Sequence, residues 1–245
     1  MKRSDFPQGL DTMRIDINSE AAYAALGIRS RLYPRLMPVP FHTIAETDEL
    51  ILPAWRKNLE IYPQLYFIVG ETRRANAKGV SKSFIRGIGF GIGLVDDGIL
   101  QASRDPSPRD ECMCRWYSLY SDDSQVLTQE IFSNVCISDV VLTMESPTMG
   151  KTVFPQRDLL FSPRKLAEEA GILIEFRKDD LISLGAAARP VSVKQDCFFW
   201  KDEAITVTAE GISQKPVVFQ IRVRDDRDPE CLIPSWKPRD FLIHG

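Results

Sequence analysis

Four glycines at a spacing of two constrain this chain more than any other feature. Gly87, Gly89, Gly91 and Gly93 alternate with Ile88, Phe90, Ile92 and Leu94. Side chains of a strand point alternately to its two faces, so a strand here has one bare face and one apolar face. Glycine weakens a strand, and a run at period two marks a place where something approaches the backbone closely. The preceding segment, Ile61–Gly70, reads as a partner strand with Tyr62, Gln64 and Tyr66 on one face. A bare strand beside phenol and amide groups predicts the floor of a small-molecule pocket; close packing of a sheet against its own neighbours is the alternative.

Composition fits a globular protein. The chain has 245 residues, of which 44% are hydrophobic and 27% charged, long enough for one or two domains with a sizeable core. Its 31 basic and 34 acidic residues give a net charge of −3, which argues against nucleic acid as a partner. No apolar run approaches the roughly 20 residues that cross a bilayer, so no membrane partner is expected. The N-terminus, Met1–Phe6, lacks a following apolar segment, and a cytoplasmic location is the default expectation. Five scattered cysteines (Cys112, Cys114, Cys136, Cys197 and Cys231) suggest reduced thiols. With only His42 and His244 beside the Cys112-Met113-Cys114 pair, a structural zinc site is not expected.

Other catalytic signatures are missing: no window reads G-x-G-x-x-G, and there is no P-loop, H-E-x-x-H or G-x-S-x-G. The scarcity of histidine matters, because histidine is the commonest general acid or base.

Three zones follow along the chain. Residues 1–58 make an N-terminal layer, with a short helix over Asp16–Gly27 capped by Asn18 or Ser19 and then a proline-rich extended stretch. Residues 59–223 carry the pocket strands, a helix or loop over Ala75–Phe84 and an irregular stretch over 101–135 that could supply a lid. They continue with a strand over Ser138–Glu145, a helix from Ser162 to Ala170, and strands near 180–186, 203–210 and 216–223. Ser162 as N-cap, Pro163 in the first turn and Gly171 at the end define that helix. Residues 224–245 form a charged, proline-rich tail.

Tyr62-Pro63-Gln64-Leu65-Tyr66-Phe67-Ile68-Val69-Gly70 and Gly91-Ile92-Gly93-Leu94-Val95-Asp96 resemble two motifs of the fumarylacetoacetate hydrolase superfamily, in its 2-keto-4-pentenoate hydratase and 4-oxalocrotonate decarboxylase branch. The first motif there is E-P-E before an apolar run, and the second is A-[IL]-E-[IL]-V-D. The segment Leu159–Gly171, the turn Phe176–Ala186 and the hairpin strand Asp202–Ile212 are similar to later family segments. The resemblance covers roughly residues 50–100 and 135–223. It implies an α+β fold, with a mixed, rolled β-sheet core of the family's C-terminal type and a small N-terminal layer. It also implies homo-oligomers, with pairing to a paralogue as a variant.

The three glutamates that hold a divalent metal in the family fall on Tyr62, Gln64 and Gly93. Tyrosine and glutamine are poor ligands for hard cations, so no metal and no cofactor are expected. A tyrosine hydroxyl can donate to an oxyanion or move a proton, and a glutamine amide can stabilise charge. The catalytic candidates are therefore Tyr62, Gln64 and, from the extended segment, His42. Tyr66, Arg73, Arg86, Gly91, Gly93, Ser183 and Arg189 are the substrate-binding candidates, the arginines because a carboxylate favours a bidentate guanidinium. Three functions stay open. The first is a metal-independent lyase or isomerase (hydratase, decarboxylase, tautomerase or cyclase) acting on a small-molecule 2-oxo acid, β-dicarbonyl or enol. The second is a non-catalytic binding protein or partner subunit. The third is a metal enzyme with rearranged ligands such as Glu60, Glu71, Asp96 or Asp97.

Overall fold

A computed structural model describes residues 12–15, 18–19, 36–52, 59–96, 123–193, 198–200 and 202–227. Its centre is the pair predicted from the glycine run. β4 (Leu59–Val69) is rich in aromatic and β-branched residues and lies antiparallel to β5 (Ile85–Asp96). Their register sets Tyr62 opposite Gly93, Gln64 opposite Gly91 and Tyr66 opposite Gly89.

Around this pair a seven-stranded sheet assembles from β1 (Thr12–Ile15), β2 (Leu36–Val39), β6 (Gln125–Leu127), β9 (Leu181–Ser183) and β10 (Val191–Val193). Its order is β2-β1-β9-β4-β5-β6, with β10 also on β4. β10 pairs with Leu59–Ile61 and β9 with Tyr66–Ile68. Pro63, which has no N–H to donate, falls between these two paired stretches, where a strand tolerates it. Gly185, at φ +70°, packs so closely on the Ile15 carbonyl that a side chain there would collide with it. That contact seats β1 parallel to β9, with Arg14 opposite Ser183.

The second sheet has five strands in the order β3-β12-β11-β7-β8: β3 (Glu49–Leu52), β12 (Val217–Asp225), β11 (Ala204–Glu210), β7 (Val141–Ser146) and β8 (Gly150–Pro155). The apolar faces of β4 and β5 meet this sheet through β7 and β11. Phe90 of β5 packs edge-on against Phe219 of β12, with ring centroids 6.3 Å apart. A second aromatic cluster, in which Phe84 stacks 6.1 Å from Phe67 and 5.6 Å from Phe176, closes one end of the core.

The architecture is α+β and mostly sheet, as expected. The helix α1 (Pro163–Glu169) begins as expected, with the Ser162 hydroxyl accepting from the Lys165 N–H. It continues into a 3-10 turn over Ala170–Ile172 instead of stopping at Gly171. The stretch 75–84 is turn and loop ending in a 3-10 turn over Lys82–Phe84. Most of the helix expected over Asp16–Gly27 lies outside the described residues. Asn18, proposed as its cap, sends its side chain into the core, where it bonds Phe161 N and O and the Leu184 carbonyl. Strands β1, β2 and β3 bring residues from the expected N-terminal layer into both sheets. Of the irregular stretch 101–135, residues 101–122 lie outside the described residues and Gln125–Leu127 forms β6; of the tail 224–245, residues 228–245 lie outside them and β12 runs on through Asp225. Among the described residues no helix is long and apolar enough to cross a membrane.

Candidate functional site

Register alone gathers the site. Laterally paired residues of a sheet share a face. Ser183 pairs with both Arg14 and Tyr66, Tyr66 with Gly89, and Gly93 with both Tyr62 and Gln125. Arg14, Ser183, Tyr62, Gln64, Tyr66 and Gln125 therefore all project over the glycine face of β5. All six side chains are buried, and Arg14 is 0% exposed.

Close approach to the backbone is as predicted, and it is made by the protein itself. A side chain at Gly89 would enter the Tyr66 ring, with Cβ 2.6 Å from Cε1. At Gly91 it would collide with the backbone of β6, where Leu127 Cα is 2.8 Å away. At Gly93 it would sit 2.6 Å from Arg14 Nη2, 3.1 Å from Tyr62 Cζ and 3.2 Å from Gln64 Nε2. The expected pocket floor is thus covered by tyrosine, arginine and glutamine side chains. A separate groove of about 330 Å³, lined by residues that include Ile85, Ile88, Ile137, Arg157 and Arg164, lies on the other face of β5.

The side chains form an ordered hydrogen-bond network. Tyr62 Oη accepts from Arg14 Nη2 at 2.6 Å and from Nε at 3.1 Å, and Nη2 also reaches the Leu94 carbonyl at 3.0 Å. The Thr43 hydroxyl donates its one proton to the Pro40 carbonyl at 2.8 Å, so it accepts from Gln125 Nε2 at 3.1 Å. Gln125 Oε1 is then left to accept from Ser183 Oγ at 2.7 Å and from Gln64 Nε2 at 3.0 Å. This polarity fixes the Gln64 amide and points its Oε1 away from Gln125. Gln64 Oε1 and Arg14 Nη1 are both buried and have no hydrogen-bond partner among the described residues. Beside them, burial holds the Tyr66 phenol well above its ordinary value, and its hydroxyl donates to the Thr128 carbonyl at 2.7 Å.

The fold, though not the side-chain network, has counterparts among solved structures. A Yersinia pestis protein assigned to the fumarylacetoacetate hydrolase family superimposes with a TM-score of 0.70 at 12% identity, over 90% of this chain and 95% of that one. The chain has the fumarylacetoacetate hydrolase fold. The 5-carboxymethyl-2-hydroxymuconate delta-isomerase of Mycobacterium smegmatis matches with a TM-score of 0.63 at 16% identity, over 89% of this chain and 77% of that one. The maleylpyruvate hydrolase of a Sphingobium species matches with a TM-score of 0.62 at 14% identity, over 88% and 71% of the two chains. No protein-family model and no curated protein sequence matches the chain.

On the fumarylacetoacetate hydrolase fold, the three positions where the resemblance implies metal-binding glutamates meet at one point, above Gly93. The donor set there does not fit a divalent metal. A phenol and an amide are neutral, Gly93 offers no donor, and a guanidinium already stands between them. Among the described residues no three His, Cys, Asp or Glu side chains gather. Of the alternative ligands, Glu60 and Glu71 are both half-buried; Glu60 lies on the Tyr62 face, and Glu71 accepts from Ser81 and Ser83. The Asp96 side chain and Asp97 lie outside the described residues.

Of the substrate-binding candidates, Tyr66, Gly91, Gly93 and Ser183 lie in or under the network. The cations expected beside them are engaged elsewhere. Arg73 donates to the carbonyls of Gly79, Ala77 and Gly171, at 3.2, 2.5 and 3.1 Å, and so clips one loop to another. Arg86 pairs with Asp179 at the surface. Arg189 is exposed on the turn after β9. His42 lies half-buried in a 3-10 turn, and it is the next residue, Thr43, that enters the network. Sequence reasoning missed Arg14, Gln125 and Thr43. The one sign was a lone arginine between Met13 and Ile15, in an alternating pattern short enough to pass unnoticed.

Proposed function

We propose that this chain is a metal-independent enzyme of the lyase or isomerase type, acting on a small 2-oxo acid, β-dicarbonyl or enol. The observation that carries the reading is the Arg14 guanidinium, buried on Tyr62 Oη at the point where the resemblance implies a metal. Enolate chemistry needs fixed positive charge beside the oxygen that becomes negative, and a buried guanidinium supplies it. Tyr62 is the group suited to pass or receive a proton, because Arg14 stabilises negative charge that develops on its oxygen. The isomerase and hydrolase named above lend the fold, and the polar network lends the chemistry.

The test is turnover of a panel of 2-oxo acids, enols and β-dicarbonyl carboxylates by protein kept in excess EDTA, followed by enol absorbance and product mass. The expected result is turnover that survives the chelator and falls at least a hundredfold in Tyr62→Phe. Turnover that requires added magnesium or manganese would overturn the metal-independent reading.

A second reading has its own support: Thr43, Gln125, Gln64 and Ser183 bond one another behind a solvent-excluded face. A non-catalytic binding protein, or a subunit that supports an active paralogue, would show this closed network and no turnover of any panel member.

A further inference from the structure

The groove on the other face of β5 contains an acceptor that the protein does not satisfy. The groove measures about 330 Å³ and is walled by Ile85 and Ile88 of β5 and by Val135 and Ile137 of the connection between β6 and β7. Apolar walls with a few polar groups at this volume suit a small molecule. Gln156, in the 3-10 turn after β8, also lines the groove and is 1% exposed. Its amide has one orientation: Nε2 donates to the Phe154 carbonyl at 2.8 Å, and a carbonyl only accepts, so the group cannot be turned round. Oε1 is thereby directed away from that carbonyl, and it is buried with no hydrogen-bond partner among the described residues. A buried amide oxygen that lacks a donor is costly.

The exposed side of the groove is cationic. Arg157 and Arg164 line it with side chains that are 74% and 69% exposed. Arg157 meets Asp158 only at 4.0 Å, and Arg164 meets Glu168 at 3.3 Å, one helical turn on. Exposed pairs of this kind hold an arginine weakly, so both guanidinium groups can turn to another anion.

We propose that this groove binds a small amphipathic carboxylate that carries an O–H or N–H at the far end of an apolar chain. The chain lies against the isoleucine and valine walls and supplies the affinity of apolar burial. Its terminal donor meets Gln156 Oε1, and the carboxylate lies between Arg157 and Arg164, whose planar forks match it. An unsubstituted alkyl chain leaves Oε1 unpaired, so the groove selects for the donor at the inner end. The site is separate from the glycine face and from any reaction there.

The probes are 6-hydroxyhexanoate, hexanoate and hexanol. Hexanoate lacks the hydroxyl and hexanol lacks the carboxylate, and the flexible chain imposes no fixed separation between its ends. Each is titrated into the full-length protein, with calorimetry and methyl NMR as readouts. The hydroxy acid is expected to bind saturably at one per chain, about fivefold or more tighter than either of the others, with shifts centred on Ile85, Ile88, Val135 and Ile137. Gln156→Met keeps the length of the side chain and removes the acceptor, so hexanoate should then bind at least as tightly as the hydroxy acid. Arg157→Gln with Arg164→Gln changes two exposed positions, which leaves folding intact. This double variant should weaken the hydroxy acid about fivefold and leave hexanol unchanged. If Gln156→Met does not fold, the wild-type series and the double variant decide. No saturable binding, shifts centred elsewhere, a hydroxy acid no tighter than hexanoate, or an affinity untouched by loss of both arginines would overturn the site.

Discussion

Nη2 of Arg14 stands 2.6 Å from the hydroxyl oxygen of Tyr62, and the guanidinium carbon lies 5.4 Å from the centre of the same ring. The phenol therefore faces the cation with both its oxygen and its ring, and it accepts two of the guanidinium's N–H bonds. Tyr62→Phe removes the acceptor but keeps the ring, so Nε loses its partner and Nη2 keeps only the Leu94 carbonyl, in a dry environment. Hydrogen bonds to charged groups are worth more than neutral ones, and the expected destabilisation is about 2–3 kcal/mol. Urea unfolding of the variant measures it. A change below about 0.5 kcal/mol would mean that water replaces the hydroxyl and that the pair is not the dry contact described.

The glycine face makes a steric prediction. Gly89→Ala drives a methyl into the Tyr66 ring, and Gly91→Ala drives one into the backbone of β6. Overpacking of this kind costs about 1–3 kcal/mol and more where backbone must move, so Gly91→Ala should be the worse of the two. Gly79→Ala is the control. It has nothing within 4 Å and a φ of +72°, so only conformational strain of about 1 kcal/mol applies. Melting temperatures of the three variants should fall in the order Gly79→Ala, Gly89→Ala, Gly91→Ala, the last being lowest.

What could be read from the sequence follows from the range of the interactions. The β4–β5 pair was legible because its signals are local: alternation on one strand, missing side chains on the other. The cap of α1 was legible for the same reason. The same alternation put Tyr62, Gln64 and Tyr66 on one face. It could not show that Arg14, 48 residues earlier, would cover that face. Nor could it show that Gln125, 61 residues later, would complete the network. Both arrive through strand register, which no local pattern encodes. The arginines near the pocket strands were attractive because of sequence proximity, yet Arg73 follows β4 and Arg86 stands at the start of β5, at the end of the pair remote from Gly93.

Tyr66 ties alkaline stability to the same face. Burial raises its phenol above the ordinary value of 10.0, so it stays protonated in the folded protein where the unfolded chain has begun to ionise. Its contribution is fully present below about pH 10 and is lost as pH rises towards the folded value. Between wild type and Tyr66→Phe, the difference in unfolding free energy should shrink above about pH 10 by about 1.4 kcal/mol per pH unit. Urea unfolding of both proteins at intervals from about pH 9 to about pH 11.5 reads it, and parallel curves would place the phenol in water.

Glu203 works at the acidic end. Burial opposes its charge, but bonds from the Thr148 hydroxyl at 2.7 Å, the Thr148 N–H at 2.9 Å and the Trp200 N–H at 3.0 Å outweigh it. The carboxyl is thus held below its ordinary value of 4.5. The stability it adds is complete above that value and is lost as pH falls towards the folded one. Glu203→Gln should be less stable than wild type at neutral pH, and the gap should close on acidification. A gap independent of pH would assign the loss to packing.

The metal question separates the chemistry of this chain from that of a carboxylate-lined site. A guanidinium and a divalent cation cannot share the space over Gly93, since Arg14 Nη2 already lies 2.6 Å from where a first side-chain carbon would sit. Two charges of the same sign repel there with little solvent to screen them. Magnesium or manganese at millimolar concentration should leave the melting temperature unchanged, and native mass spectrometry of protein purified without chelator should show no metal retained at one per chain. The same spectra report the subunit count, for which a homo-oligomer is expected. Arg14→Ala with Gln64→Glu and Gly93→Glu removes the resident cation and adds two carboxylates, and this variant should gain manganese binding that the wild type lacks. One metal retained per wild-type chain would instead show that the cation site lies away from Arg14, and the metal-independent reading would be abandoned.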